Sequence, residues 1–229
     1  MNGAPLFGVL VTCGAWLAAL ALRERARTPW ANPVLVSVAA IILLLWAADI
    51  PYDYYAEGGA MITFLLGPAV TAMAVPLYRR RNLLIVHGRA IAVGVSCGGV
   101  TGILTAVWIS GGLGAGAETV LSLAPKSVTA PIAMEVAAEV GGLPPLAAAL
   151  VIVTGMAGAV GGPPLLNAMG IRDPVARGLA LGVASHGIGT ARAYEEGEEV
   201  GAVSSVAMAL NGAFTAVLLP LLVPWIWPT

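Results

Sequence analysis

The chain has 229 residues, of which 59% are hydrophobic and 10% charged, with a mean hydropathy of +0.90 and a net charge of −1. Soluble domains carry about 25% charged residues to solvate their surface, so a soluble globule is excluded and a lipid environment is indicated. The balanced charge and the lack of a long basic patch argue against a nucleic-acid partner. Cys13 and Cys97 have neither metal-ligand spacing nor a disulfide framework.

A spanning helix needs about 20 mainly apolar residues. On that criterion the chain reads as all-α, a polytopic transmembrane helical bundle with spans at 5–22, 33–50, 58–78, 85–110, 144–168, 176–194 and 201–224. The first segment lacks the preceding Lys or Arg of a signal peptide, and its basic cluster follows it (Arg23, Arg25, Arg27), so it is expected to remain as the first span. The stretch 118–142 is apolar but is interrupted by Pro125, Lys126 and Pro131, which predicts two half-helices. Hydropathy leaves open whether they cross the bilayer or re-enter from one face.

Basic residues collect on the cytoplasmic side of membrane proteins. Arg23, Arg25 and Arg27 follow the first span and Arg79, Arg80 and Arg81 the third, which predicts an N-terminus outside. The intervening outer loop is expected to hold Asp49, Asp53 and Glu57, with Tyr52, Tyr54 and Tyr55 as interfacial anchors, and Trp225 and Trp227 are expected at the far interface. A re-entrant 118–142 would place Arg172 and Arg177 inside and Glu195, Glu196, Glu198 and Glu199 outside; a spanning one would reverse them. Charge bias favours the re-entrant form. A short echo between 66–72 (LGPAVTA) and 185–191 (SHGIGTA) hints at an inverted repeat, because paired Gly/Pro-interrupted segments in opposed halves point to a midplane binding site in transporters.

Chemistry concentrates in two stretches. In 125–135 (PKSVTAPIAME), Pro125 and Pro131 remove backbone donors, and such irregular backbone is tolerated in a membrane only where protein buries it or it lines a wet cavity. Lys126, Ser127 and Thr129 supply donors suited to an anion, and the half-helix beginning near Pro131 adds the positive end of its dipole. The competing reading is a kinked helix with a snorkelling lysine. In 182–192 (GVASHGIGTAR), Ser185, Gly189 and Arg192 share one helical face, while His186 and Thr190 share the next. An unperturbed histidine titrates near physiological pH, which suits a proton relay; a satisfied core histidine in a packing seam is the alternative. Glu135 is a second proton acceptor, with Glu139 four residues on and solvated, and Asn211 in the last span is an uncharged polar candidate. Gly67, Pro68, Pro125, Pro131, Gly187 and Gly189 are the expected helix breaks. Gly112, Gly114 and Gly116 lack the βαβ context of a dinucleotide loop, and adjacent Ser185 and His186 diverge by about 100° on a helix and make no nucleophile–base pair. No cofactor, metal site or enzyme chemistry is read.

At these residues the chain resembles the LrgB/CidB family of bacterial membrane proteins. The likeness covers about 55–225 and is carried by GGAMITFLLGPAVTAMAVPLYRRR, LAPKSVTAPIAMEVAAEVGG, VTGMAGAVGG, ARGLALGVASHGIGTARAYEEGEEVGAVSSVAMALNG and the closing LLP, leaving 1–52 as two N-terminal spans of the same transmembrane domain. Gly187 stands where the family usually has alanine and Arg192 where it usually has lysine. The resemblance implies two kinds of role in the bacterial inner membrane. One is antiholin-like control of murein hydrolase export and lysis, with a small LrgA/CidA-type membrane partner and homo-oligomerisation. The other is movement of small monocarboxylates, glycolate or glycerate as in the related plastid transporter and pyruvate as in bacterial uptake systems. For the second, the expected substrate carboxylate lies between 126–131 and 185–192. Lys126 or Arg192 would neutralise it, with Ser127, Thr129, Pro131, Ser185, Thr190 and Asn211 around it and His186 or Glu135 coupling a proton. Charged groups at helix breaks inside apolar spans favour transport, since lysis control by oligomerisation alone does not require them.

Overall fold

The computed structural model describes residues 4–26, 28, 31, 33–65, 68, 78–79 and 81–227. Those residues form helices and no strands. The chain divides into two compact units, Met1–Thr71 and Ala72–Thr229.

The first unit holds α1 (Ala4–Ala26), α2 (Pro33–Ala47) and α3 (Tyr52–Thr63). Gly8 and Gly58 let α1 and α3 touch backbone to backbone, and the Thr12 and Tyr55 hydroxyls are 2.8 Å apart. Tyr52, Tyr54 and Tyr55, expected in a loop, instead occupy the start of α3 with Asp53 and Glu57. Pro51, extended at φ −60 and ψ 138, starts that helix earlier than hydropathy alone indicates. The rest of the expected span 58–78, including Gly67, lies largely outside the described residues, as does most of the 66–72 half of the sequence echo.

The second unit is built from α4 (Arg81–Gly112), α5 (Ala117–Leu123), α6 (Ala130–Val140), α7 (Pro144–Ala168), α8 (Pro174–Glu196) and α9 (Glu198–Ile226). Proline occupies the first turn of α6, α7 and α8, where its missing N–H costs nothing, and Asp173 caps α8 by accepting from the Ala176 N–H at 2.8 Å. Among the described residues, four helices are long and apolar enough to cross a membrane: 5–26, 85–112, 144–168 and 198–226. Leu, Ile, Val, Met and Trp side chains stand exposed on these helices and at their ends, among them Trp108, Val153, Leu165, Met169, Val217 and Trp225, as lipid contact permits. The protein is a multi-pass membrane protein.

Residues 117–140 form a helical hairpin. Its two limbs contain α5 and α6, and the chain closes back on itself just beyond α6, where the Leu143 N–H donates to Ser122 Oγ in the last turn of α5 at 2.7 Å and Gly142 lies on the Ser122 backbone. The limbs are joined by 124–129, the break that Pro125 and Pro131 predict.

Residues 176–194, expected to span, form a second hairpin instead. His186 sits at φ 41 and ψ −135 inside α8, which reverses the chain. Arg177 and Glu196 would be about 28 Å apart on a straight helix, yet Arg177 Nε is 2.7 Å from Glu196 Oε2. Leu181 and Ala193 share one buried cluster. The limbs 174–185 and 187–196 are about 18 and 15 Å long, half of a hydrocarbon core of about 30 Å. Arg177 and Glu196 therefore lie at the same end of the unit, which corrects the expectation that they flank a span. The reversal occurs at His186 itself; Gly187 and Gly189, expected as breaks, are helical, and Gly189 serves close packing against Leu181 and Ser185.

The long helices of the second unit alternate in direction. Gly99 of α4 packs on Asn211 and Phe214 of α9 and Gly111 on Trp227, so these two run parallel. Gly155, Gly158 and Gly162 of α7 receive His186, Ser185 and Leu181 in turn, so α7 runs against the first limb of α8. The resulting order is helix, hairpin, helix, hairpin, helix. A hairpin returns the chain to the side it came from, so the two hairpins enter from opposite ends of the unit. Their tips meet near its middle: Gly94 and Gly98 pack on Leu179 and Val183 of one hairpin and Gly102 on Ser127 of the other, around the centre of the apolar stretch 85–112.

Candidate functional site: a cavity at the hairpin tips

A cavity of about 520 Å³ lies where the tips meet α4. One wall is α4, through Gly94, Cys97, Gly98, Thr101, Gly102 and Thr105. A second is the first hairpin's tip, through Lys126 and Ser127, and the third is the inbound limb of α8, through Leu179, Ala180, Val183 and Ala184. The α4 wall follows from its sequence: glycines at 94, 98 and 102 recur every four residues and leave room on one face, while Thr101 and Thr105 put hydroxyls beside that face.

Among the described residues, Lys126 is the one charged residue that lines the cavity. Its Nζ lies 3.3 Å from Ser127 Oγ, and among the described residues no carboxylate pairs with it. An ammonium held in an apolar, partly enclosed space without a counter-ion is costly unless something compensates its charge. Ser127 and Thr101 are hydroxyl donors of the kind that orient carboxylate oxygens, whereas the Thr105 hydroxyl donates to the Thr101 carbonyl at 2.6 Å.

The other expected residues fall around the cavity rather than into it. Thr129 precedes α6 with Oγ1 buried and without a hydrogen-bond partner, and Pro131 lies in that helix's first turn. Ser185 is 1% exposed, with Oγ likewise unpartnered and turned toward Gly158 of α7. His186, at the second tip, is 4% exposed and its Nε2 is 2.9 Å from the Val151 carbonyl, which assigns the proton to Nε2. The Thr190 and Ser204 hydroxyls pair at 2.9 Å between the outbound limb and α9. Asn211 is fully buried, and its Nδ2 donates to the Ser127 and Val183 carbonyls, each at 3.2 Å. Arg192 does not line the cavity: it pairs with Glu195 at 2.7 Å, with 36% of its side chain exposed. Glu135 is exposed on α6, also away from it. The structure thus gathers Lys126 and Ser127 with Asn211 just behind, and leaves Arg192 and Glu135 outside. Sequence reasoning missed Thr101, Thr105, Leu179 and Ala180, while Val183 and Ala184 lie in the stretch it singled out; the four-residue glycine spacing in α4 was the available signal. Among the described residues no group of three His, Cys, Asp or Glu could hold a metal ion.

Comparison with known proteins follows the whole chain. Residues 12–225 match the LrgB-like family, so the likeness reaches into α1, beyond the stretch that carries the recognisable motifs. The chain is 36% identical over 219 residues to the protein YxaC of Bacillus subtilis (strain 168), covering 96% of this chain and 95% of that one. It is 32% identical to the Holin-like protein CidB of Staphylococcus epidermidis (strain ATCC 12228 / FDA PCI 1200), covering 94% of each chain. The identity is again 32%, over 95% of each chain, to the Holin-like protein CidB of Staphylococcus aureus (strain N315). No solved structure matches the chain significantly.

Proposed function

The chain belongs to the LrgB-like family, and we propose that it acts as a holin-like protein of the bacterial inner membrane, regulating murein hydrolase export and lysis with a small LrgA/CidA-type partner. The observation behind this reading is the name Holin-like protein CidB, borne by relatives aligned over about 95% of the chain. Those names support lysis control more than transport of any particular substrate.

A second reading has the geometry behind it. A lone lysine in a cavity between two half-depth hairpins suits carriage of a small anion, and glycolate, glycerate and pyruvate fit its volume and donors. In secondary transporters, discontinuous helices of inverted repeats meet at a midplane site. Residues 81–140 and 144–196 would be such repeats, each a long helix followed by a hairpin. Arg79 and Arg81 at one end of α4 and Arg172 and Arg177 beyond the far end of α7 fall on one side of the unit, which the positive-inside rule makes cytoplasmic.

One experiment separates the readings. Proteoliposomes holding this chain, alone and with the small partner, are assayed for uptake of labelled pyruvate, glycolate and glycerate with and without an inward proton gradient. Saturable uptake that Lys126→Ala abolishes, at unchanged membrane insertion, establishes transport. Absence of uptake in both preparations, with altered autolysis in cells lacking the protein, leaves the holin-like role alone.

A further inference from the structure

Ser127 and Val183 line the same cavity from different hairpins, and the two share a defect. In a continuing helix the Ser127 carbonyl would accept from residue 131, which is proline and has no N–H. The Val183 carbonyl would accept from Gly187, which lies beyond the reversal at His186. Both carbonyls are thus orphaned by the breaks that make the hairpins. One amide supplies both missing donors: Asn211 Nδ2, at 3.2 Å from each oxygen. Both partners are acceptors, so the amide has one possible orientation, with Oδ1 turned away. That oxygen is buried without a partner beside Gly99, where a Cβ would stand 2.8 Å from it. An unpartnered buried acceptor is costly, and it persists here because its own amide is fixed by the two bonds on the other side. Asn211 lies near the centre of the apolar helix 198–226, at the depth where two hairpins entering from opposite ends meet.

We propose that Asn211 is a positioning residue that ties the two hairpin tips together and thereby closes the cavity against the opposite face of the membrane. The tip that carries Lys126 and the limb that forms the apolar wall are held at one separation by a single side chain. Loss of the tie frees the tips from each other and opens the cavity to both faces. The consequence for an anion rests on the transport reading above; the tie itself does not.

Cys97 lines the cavity and Cys13 is the chain's one other thiol, so the full-length Cys13→Ala protein carries its own reporter. In oriented vesicles, Cys97 is reacted from each face with a sulfonate-bearing methanethiosulfonate and with its trimethylammonium counterpart. The parent is expected to react from one face, with the sulfonate faster by about fivefold through the Lys126 charge. Asn211→Leu is expected to raise the rate from the second face by roughly tenfold or more, as the loss of two hydrogen bonds implies, while the sulfonate preference at the first face persists. Asn211→Ala is read in the same way should the leucine variant fail to insert. One-sided labelling at the parental rate in an inserted Asn211 variant overturns the tie. So does loss of the sulfonate preference together with indiscriminate labelling, which marks general loosening. Lys126→Gln is the separate arm: an undiminished sulfonate preference there defeats the anion-site reading and leaves the tie to be decided by sidedness.

Discussion

The fold-back of α8 makes a prediction that a spanning helix cannot share. Arg177 donates from Nε to Glu196 at 2.7 Å and from Nη1 to Asn167 Oδ1 at 2.9 Å and the Ile171 carbonyl at 2.7 Å. Their side chains are 11% and 13% exposed. Hydrogen bonds to charged groups contribute about 1.5–3 kcal/mol when desolvated, but this cluster lies at the polar end of the hairpin, where water screens it, and a coupling of about 1–2 kcal/mol is expected. For a chain of this size 1 kcal/mol moves the melting temperature by about 2–4 °C. Melting of detergent-purified Arg177→Ala, Glu196→Ala and the double variant, followed by tryptophan fluorescence, measures the cycle. Arg177→Ala should cost more than Glu196→Ala, because it also abandons Asn167 and Ile171. The double variant should fall short of the sum by about 2–8 °C. Strict additivity would refute the hairpin, since residues about 28 Å apart on a straight helix have nothing to couple them.

The opposed entry of the two hairpins predicts sidedness. In a chain lacking Cys13 and Cys97, cysteines placed at Ala115 and Leu143 should label from one face, and those at Met169 and Glu198 from the other; any crossing between pairs refutes the helix–hairpin order. Gly158→Val should prevent assembly of a monodisperse protein in size-exclusion chromatography, because a side chain there overlaps Ser185, and overpacking of a tight seam costs about 1–3 kcal/mol or more. At His186, φ is 41, a conformation that glycine adopts freely and alanine does not. His186→Gly should therefore melt above His186→Ala by the equivalent of about 1 kcal/mol, although both lose the bond to Val151. Equal melting temperatures would remove backbone strain from the account of the tip.

The two hairpins were unequally legible in the sequence. The first announces itself through Pro125 and Pro131, because a proline deletes a donor and its effect can be read without knowing the fold. The second has no proline at its turn. Its reversal falls on a histidine whose left-handed φ only the surrounding packing imposes: Gly155 and Gly158 of α7 make room for His186 and Ser185, and Val151 holds the ring. Hydropathy counts apolar length and is blind to direction, so a segment of 23 residues that goes halfway in and returns reads the same as one that crosses. The glycines around His186 were visible, as freedom to unwind or as room for another backbone, but neither reading carries the reversal itself.

The same limit explains the site. Lys126 and Ser127 stood out because charge and hydroxyls at a proline break are anomalous within one segment. Arg192 stood out for the same local reason, yet the reversal at His186 sends its limb back toward the polar end, where Glu195 takes it. Asn211 showed the opposite pattern. As a single amide in a long apolar helix it resembled ordinary interhelical glue, and its importance depends on two carbonyls, 84 and 28 residues away in sequence, that it alone reaches together. Local chemistry identifies which groups are costly in a membrane; only the path of the backbone decides which of those costs are met by one another, and here both hairpin breaks are met by the same side chain.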